Sequence, residues 1–191
     1  MKIILASKSQ RRKDLLDLIN VEYSSIESDC PEEYNPNLDY YHQIEEIGFN
    51  KALNVYNRTF GDRLVIGSDT VVLIDNQILG KPKNIEDAKR MLRLLSNKEH
   101  EVITSICSCC CKNNKEYFYK DYSVTKVLVD NLTEYEIDDW VNNNNVMEMA
   151  GAYAIQKSFA KHIKSFNGDY YTIVGLPLNK TYKLIEKYKN I

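Results

Sequence analysis

The segment Leu5-Ala6-Ser7-Lys8-Ser9-Gln10-Arg11-Arg12 crowds two hydroxyls and two guanidinium groups into eight residues. Placed between a strand and a helix, its backbone N–H groups and the positive end of the helix dipole would form an anion site. The same residues also read as a solvated basic turn capped by Ser9. Arginines in a first helical turn are unfavourable, however, and a bound anion would offset that cost. No glycine-rich phosphate loop accompanies them. Asp69 lies in Ile66-Gly67-Ser68-Asp69-Thr70-Val71-Val72, between apolar runs, so it is either a buried acid in need of a partner or a turn Asp satisfied by backbone N–H groups. Lys81, held between Gly80 and Pro82, would alone be a surface lysine, and Glu32, Glu33 and Lys51 would singly be solvated. Taken together these residues offer carboxylates to hold Mg²⁺ and orient water, and cations to neutralise phosphates.

Positioning them requires strands that end in turns and helices that begin there. Ile3, Ile4 and Leu5 predict a strand running into Ser7, and Leu15, Leu16 and Ile19 then recur at helical spacing. A second helix is predicted over residues 39–56, with Ile44, Ile47, Ala52 and Val55 on its apolar side. Extended segments follow at 65–66, 71–74 and 77–79, the last two pairing as a hairpin about Asp75-Asn76. Asn84 and Asp87 form a capping pair ahead of Ala88, Met91, Leu92 and Leu95 on one helical face. Residues 102–106, 117–119 and 124–129 read as strands, and Thr133 with Glu136 as a capping box before Ile137, Trp140 and Val141. Residues 170–176 are expected as a buried strand, with Asn179 capping a closing helix through Tyr188, while 29–37 and 142–145 read as loops. Interleaved helices and strands predict an α/β fold with a mixed central sheet and flanking helices.

A chain of 191 residues buries roughly 70% of the surface its unfolded form exposes, so no staples are needed. Twenty-seven acidic against 25 basic residues leave no positive field for a polyanion, which argues against nucleic acid as a partner. The apolar start, Ile3 to Ala6, is too short for a secretory segment, and no stretch approaches the roughly 18 apolar residues of a membrane span. The expectation is a soluble, cytoplasmic protein without membrane partners. Four of five cysteines fall within residues 107–111, unlike a disulfide framework. Cys30, His42, His100 and His162 sit at no zinc-like spacing, so the thiols read as reduced, on or after a strand.

The order of these segments resembles the Maf family of nucleoside triphosphate pyrophosphatases, related in fold to the inosine triphosphate pyrophosphatases. The family's L-A-S-x-S-P-R-R is matched by Leu5 to Arg12 with Gln10 for proline, G-A-D-T-V-V by Gly67 to Val72 with Ser68, and L-G-K-P by Leu79 to Pro82. The pattern A-x-x-M-L-x-x-L-S-G-x-x-H-x-V-x-T is met by Ala88, Met91, Leu92, Leu95, Ser96, His100, Val102 and Thr104, with Asn97 for glycine. Glu148 to Gln156 resembles D-K-A-G-x-Y-x-I-Q, and Gly168 to Leu178 resembles G-x-Y-x-N-V-V-G-L-P-L. The resemblance covers nearly the whole chain and implies one domain, residues 1–191, of two lobes around a substrate cleft.

Carried over by motif, the resemblance implies Asp69 as catalytic acid/base and metal-associated carboxylate. Lys51 and Lys81 follow as phosphate-neutralising lysines, and Ser7 and Arg12 as part of the substrate cradle. Counting from Tyr23 sets Ser28-Asp29 on the family's S-D and Glu32 on its functional glutamate and second metal carboxylate. Pro31 then replaces an aspartate, and Glu33 is a rival by one position. Mg²⁺ or Mn²⁺ is the implied cofactor. Met149 stands where the family has lysine, while Glu148 could keep the neighbouring acidic role. Arg12, Thr70 and Gln156 match positions around the base in the dTTP/UTP subgroup, which implies hydrolysis of those nucleotides to the monophosphate and pyrophosphate. The alternatives are the sister 7-methyl-GTP subgroup, with Gln where this chain has Thr70, and a nucleotide-binding regulator of cell division without turnover. A homodimer is left open.

Overall fold

Ile3, Ile4 and Leu5 are buried without alternation because their strand, β1 (Lys2–Leu5), has parallel neighbours on both sides. Leu5 is in register with Ser25 of β2 (Ser24–Ser25) and with Ile66 of β3 (Arg63–Gly67). β3 pairs antiparallel with β6 (Glu99–Lys112), Gly67 opposite Cys107, so the sheet is mixed as expected. The computed structural model describes residues 1–190, and these fall into two compact units. The first comprises Met1–Asp69, Thr104–Ser123 and the chain from Gly175, with helices α1 (Gln10–Leu18), α2 (Tyr40–Tyr56) and α6 (Leu178–Lys189).

The second unit comprises Thr70–Ile103 and Val124–Val174. It holds β4 (Thr70–Ile74) and β5 (Gln77–Leu79), the expected hairpin, with Asp75 and Asn76 both at positive φ as its turn demands. Helices α3 (Ile85–Leu95) and α4 (Glu134–Asn143) carry the predicted caps: Asn84 accepts from Asp87 N, and Thr133 and Glu136 form the capping box. β7 (Lys115–Val129) and β6 each contribute residues to both units, and β7 pairs antiparallel with β8 (Ile163–Asn167). Among the described residues no helix is long and apolar enough to cross a membrane.

Several expectations are corrected. Residues 170–174 form a helix, α5 (Tyr170–Val174), not a strand. Asp169 caps it, its carboxylate accepting from Tyr171 N at 3.2 Å, Thr172 N at 3.0 Å and Thr172 Oγ1 at 2.8 Å, so the aromatic and β-branched run reports burial rather than extension. Pro177 stands at the N-cap of α6 without a side-chain cap, and Asn179 is exposed within the first turn. Asn142 and Asn143 continue α4, where Asn143 Nδ2 donates to Asp139 O at 2.9 Å. The separate strands expected at 102–106, 117–119 and 124–129 are parts of two long ones joined at Asn113 and Asn114, both at positive φ. The cysteine run lies on β6, with Cys107, Cys109 and Cys110 buried and all five thiols free. Burial pushes Cys107 and Cys109 up to about 12, so they behave as small apolar groups.

Candidate active site

Two glycines bring α2 against β3. A Cβ at Gly67 would overlap Gly48 O and lie 2.7 Å from Ala52 N, and one at Gly48 would overlap Ser105 Oγ. Helix backbone therefore rests directly on strand. Lys51, three residues beyond Gly48, projects from the same side toward the end of β3. Its Nζ donates to Asp69 Oδ1 at 2.5 Å and to Glu32 Oε1 at 2.6 Å, joining residues that lie 37 positions apart in the chain. Ser105, fully buried on β6, clamps Asp69 by its backbone: Asp69 N donates to Ser105 Oγ at 2.8 Å and Ser105 N to Asp69 O at 2.9 Å.

Asp69 is 6% exposed, and burial holds its carboxyl above the usual carboxylate range. Lys51 and Arg12 pull it down and Glu32 pushes it up, but desolvation is the largest influence. Tyr34, in the acidic loop, is pushed up to about 12 by burial and by the charges of Asp69 and Glu32. Burial lowers Arg12, which remains a cation at any physiological pH. Its guanidinium donates from Nε to Gly175 O at 2.8 Å and from Nη1 to Ser7 Oγ at 3.2 Å. Gly175, at φ 127°, also accepts from Ser68 Oγ at 3.2 Å. Ser9 makes no side-chain cap on α1; the hydroxyl at work is that of Ser7, which accepts Ser9 N at 3.2 Å.

The first unit thus gathers Ser7, Arg12, Glu32, Lys51 and Asp69. The rival glutamates are both exposed, and it is Glu32 that reaches Lys51. Thr70, Lys81 and Gln156 belong to the second unit. There Lys81 Nζ donates to Glu148 Oε2 at 2.6 Å, both side chains about half exposed. Thr70 is half-buried and Gln156 exposed. Met149 is buried, an apolar side chain seated in a core. Gly151, at φ 64°, donates its N–H to Gly80 O at 3.0 Å, which ties the segment of Glu148 to that of Lys81. Gly48, Ser105 and Tyr34 escaped sequence reasoning, and Gly175 entered it only as part of a motif without a role. Of the three, only Gly48 left a signal, as a residue without a side chain inside an otherwise apolar helix face.

Residues 2–188 match the Maf-like protein family. The chain belongs to that family. A dTTP/UTP pyrophosphatase of Lachnoclostridium phytofermentans is 39% identical over 188 residues, covering 98% of this chain and 95% of its own. One of Clostridium botulinum is 42% identical over 183 residues, 93% of this chain and 92% of its own. Among solved structures, the Staphylococcus aureus Ham1 protein aligns with 98% of this chain and 99% of its own at a TM-score of 0.46 and 12% identity.

The donor set of this Maf-like chain fits a hard divalent cation. Among the described residues no three His, Cys, Asp or Glu side chains gather as a group that could hold a metal ion by themselves. Two carboxylates, Asp69 and Glu32, converge on one cationic atom, Lys51 Nζ. Hard divalent cations are commonly held by one or two carboxylates, with phosphate oxygens and water completing the shell, and this pair offers two such carboxylates.

Proposed function

We propose that this chain is a nucleoside triphosphate pyrophosphatase that hydrolyses dTTP and UTP to the monophosphate and pyrophosphate. The observation that carries the reading is near-full-length likeness, at about 40% identity, to several dTTP/UTP pyrophosphatases. In the reaction water attacks the α-phosphorus, the bond to the bridging α–β oxygen breaks, and pyrophosphate leaves. Asp69 takes the proton of the attacking water, and a carboxyl raised by burial is a better base than an ordinary Asp. A divalent cation is the cofactor implied for the family, proposed here as Mg²⁺ or Mn²⁺ held by Asp69 and Glu32, and it would supply Lewis-acid stabilisation of the phosphate oxygens. Lys51 and Arg12 offset negative charge at the phosphates, with Ser7 completing the cradle. Lys81 is assigned a phosphate-neutralising role, and Thr70 and Gln156, with Arg12, contacts to the base. Residues 1–191 act as one domain, in the cytoplasm, without nucleic acid as a partner. A homodimer is the assembly to test by light scattering.

Purified protein incubated with a nucleotide panel and Mg²⁺ should release pyrophosphate, not orthophosphate, with a higher kcat/KM for dTTP and UTP than for any purine triphosphate. EDTA should abolish turnover and added Mg²⁺ or Mn²⁺ restore it. Preference for 7-methyl-GTP would overturn the subgroup, and binding without turnover would favour a regulator.

A further inference from the structure

Residues 27–38 form neither helix nor strand and contain Pro31 and Pro36, yet they run beside α2 and are attached to it at three levels. At the first, Arg58 Nη1 donates to Asp29 Oδ2 at 2.6 Å, and its Nη2 donates to Glu27 O at 2.7 Å and to Asn54 Oδ1 at 2.8 Å. Asn54 Oδ1 also accepts Asp29 N at 3.3 Å. Lys51 holds Glu32 at the second level. At the third, Asn35 Nδ2 donates to Glu46 Oε2 at 3.4 Å and Gln43 Nε2 to Leu38 O at 2.7 Å. Gln43, Glu46, Lys51, Asn54 and Arg58 follow one another at three to five residues and so share one broad side of the helix and its extension.

We propose that Arg58 is a positioning residue that sets the register of this loop on α2, so that Glu32 rather than Glu33 meets Lys51 and Asp69. The proposal rests on the role given above to Glu32. The six residue steps from Asp29 to Asn35 reach at most about 20 Å, while α2 rises about 15 Å from Glu46 to Tyr56 and the anchoring Arg58 lies two residues beyond that end. The loop has little slack between its end anchors. A slip of one residue, about 3.3 Å, would bring Glu33 opposite Lys51 with alternate side chains reversed. Arg58 grips the end from which that register is counted, and its two donors on separate loop acceptors resist the slip in a way one point charge does not. The Arg58 and Asp29 side chains are 42% and 73% exposed, so the pair adds little to global stability and its removal tests position rather than folding.

Arg58→Ala should lower kcat on dTTP by about tenfold while changing KM by less than about twofold, the signature of a misplaced group rather than a lost substrate contact. In the nucleotide-free protein it should speed amide exchange across residues 28–36 by about tenfold. Because the two residues act as a unit, Glu32→Gln should cost at least about threefold less in the Arg58→Ala background than in the wild type. Arg58→Lys should recover part of the loss, and Asp29→Asn, should Arg58→Ala fold poorly, should reproduce all three effects. Full additivity of Arg58→Ala with Glu32→Gln, or unchanged exchange across the loop, overturns the proposal. If the wild type releases no pyrophosphate from dTTP, the functional reading fails, and amide exchange alone decides whether Arg58 fixes the loop.

Discussion

Lys51 meets Asp69 at 2.5 Å in the first unit, and Lys81 meets Glu148 at 2.6 Å in the second. The two pairs are alike in chemistry and spacing but differ in exposure: the side chains are 12% and 9% exposed in the first, 49% and 53% in the second. Burial strengthens every charge in the first pair and makes each one costly to leave alone. In the second, water screens both groups and each is readily exchanged for another partner. The same chemistry thus makes a deep pair in one unit and a shallow, water-screened pair in the other.

The sharpest way to break this comparison is Asp69→Asn. Turnover should fall about 10²-fold or more, because the proposed base and proposed metal carboxylate are lost together while shape is kept. Nucleotide binding measured by calorimetry should survive, and near-wild-type pyrophosphate release would remove Asp69 from the mechanism.

Acid stability separates the units by sign. Asp69 has a folded-state pKa raised by burial, so its contribution to stability falls as pH rises from the ordinary carboxylate range through that raised value. His100, buried with Nε2 on Tyr153 Oη at 2.8 Å and Nδ1 without a partner among the described residues, is lowered to about 4 and stays neutral in the fold. Its contribution is present above about pH 6.5 and is lost as pH falls toward 4, at up to about 1.4 kcal/mol per pH unit. Urea titrations between pH 4 and 7 should show a flatter acid limb for His100→Gln and a steeper one for Asp69→Asn, relative to the wild type. Parallel slopes in all three proteins would mean that neither group is linked to folding.

The smallest effect belongs to the exposed pair. Glu148→Gln should change unfolding free energy by less than about 1 kcal/mol, whereas removing a partner from a buried pair costs several times as much. A larger loss, measured by chemical denaturation, would show that Glu148 supports the second unit itself rather than only engaging Lys81.

Motif order identified the family and named residues that meet in the first unit, since Ser7, Arg12 and Asp69 sit in short segments with a recognisable pattern of side-chain types. Local patterning was legible wherever a cap or turn depends on neighbours alone, as at Asn84, Thr133 and the Asp75-Asn76 hairpin. It failed at residues 170–174, where burial and extension leave the same aromatic and β-branched trace and only the Asp169 cap decides for helix. The choice of Glu32 over Glu33 at Lys51 depends on anchors from Asp29 to Leu38 on a helix that begins after them, and counting along the chain left both open. Burial of Asp69 likewise depends on Gly48 and Gly67 letting α2 rest on β3, and on Ser105 arriving from a strand 36 residues later. Residue types and spacing determined which groups are present for the chemistry. Their pairing, burial and proton affinity came from contacts between distant segments, which exist only once the chain has folded.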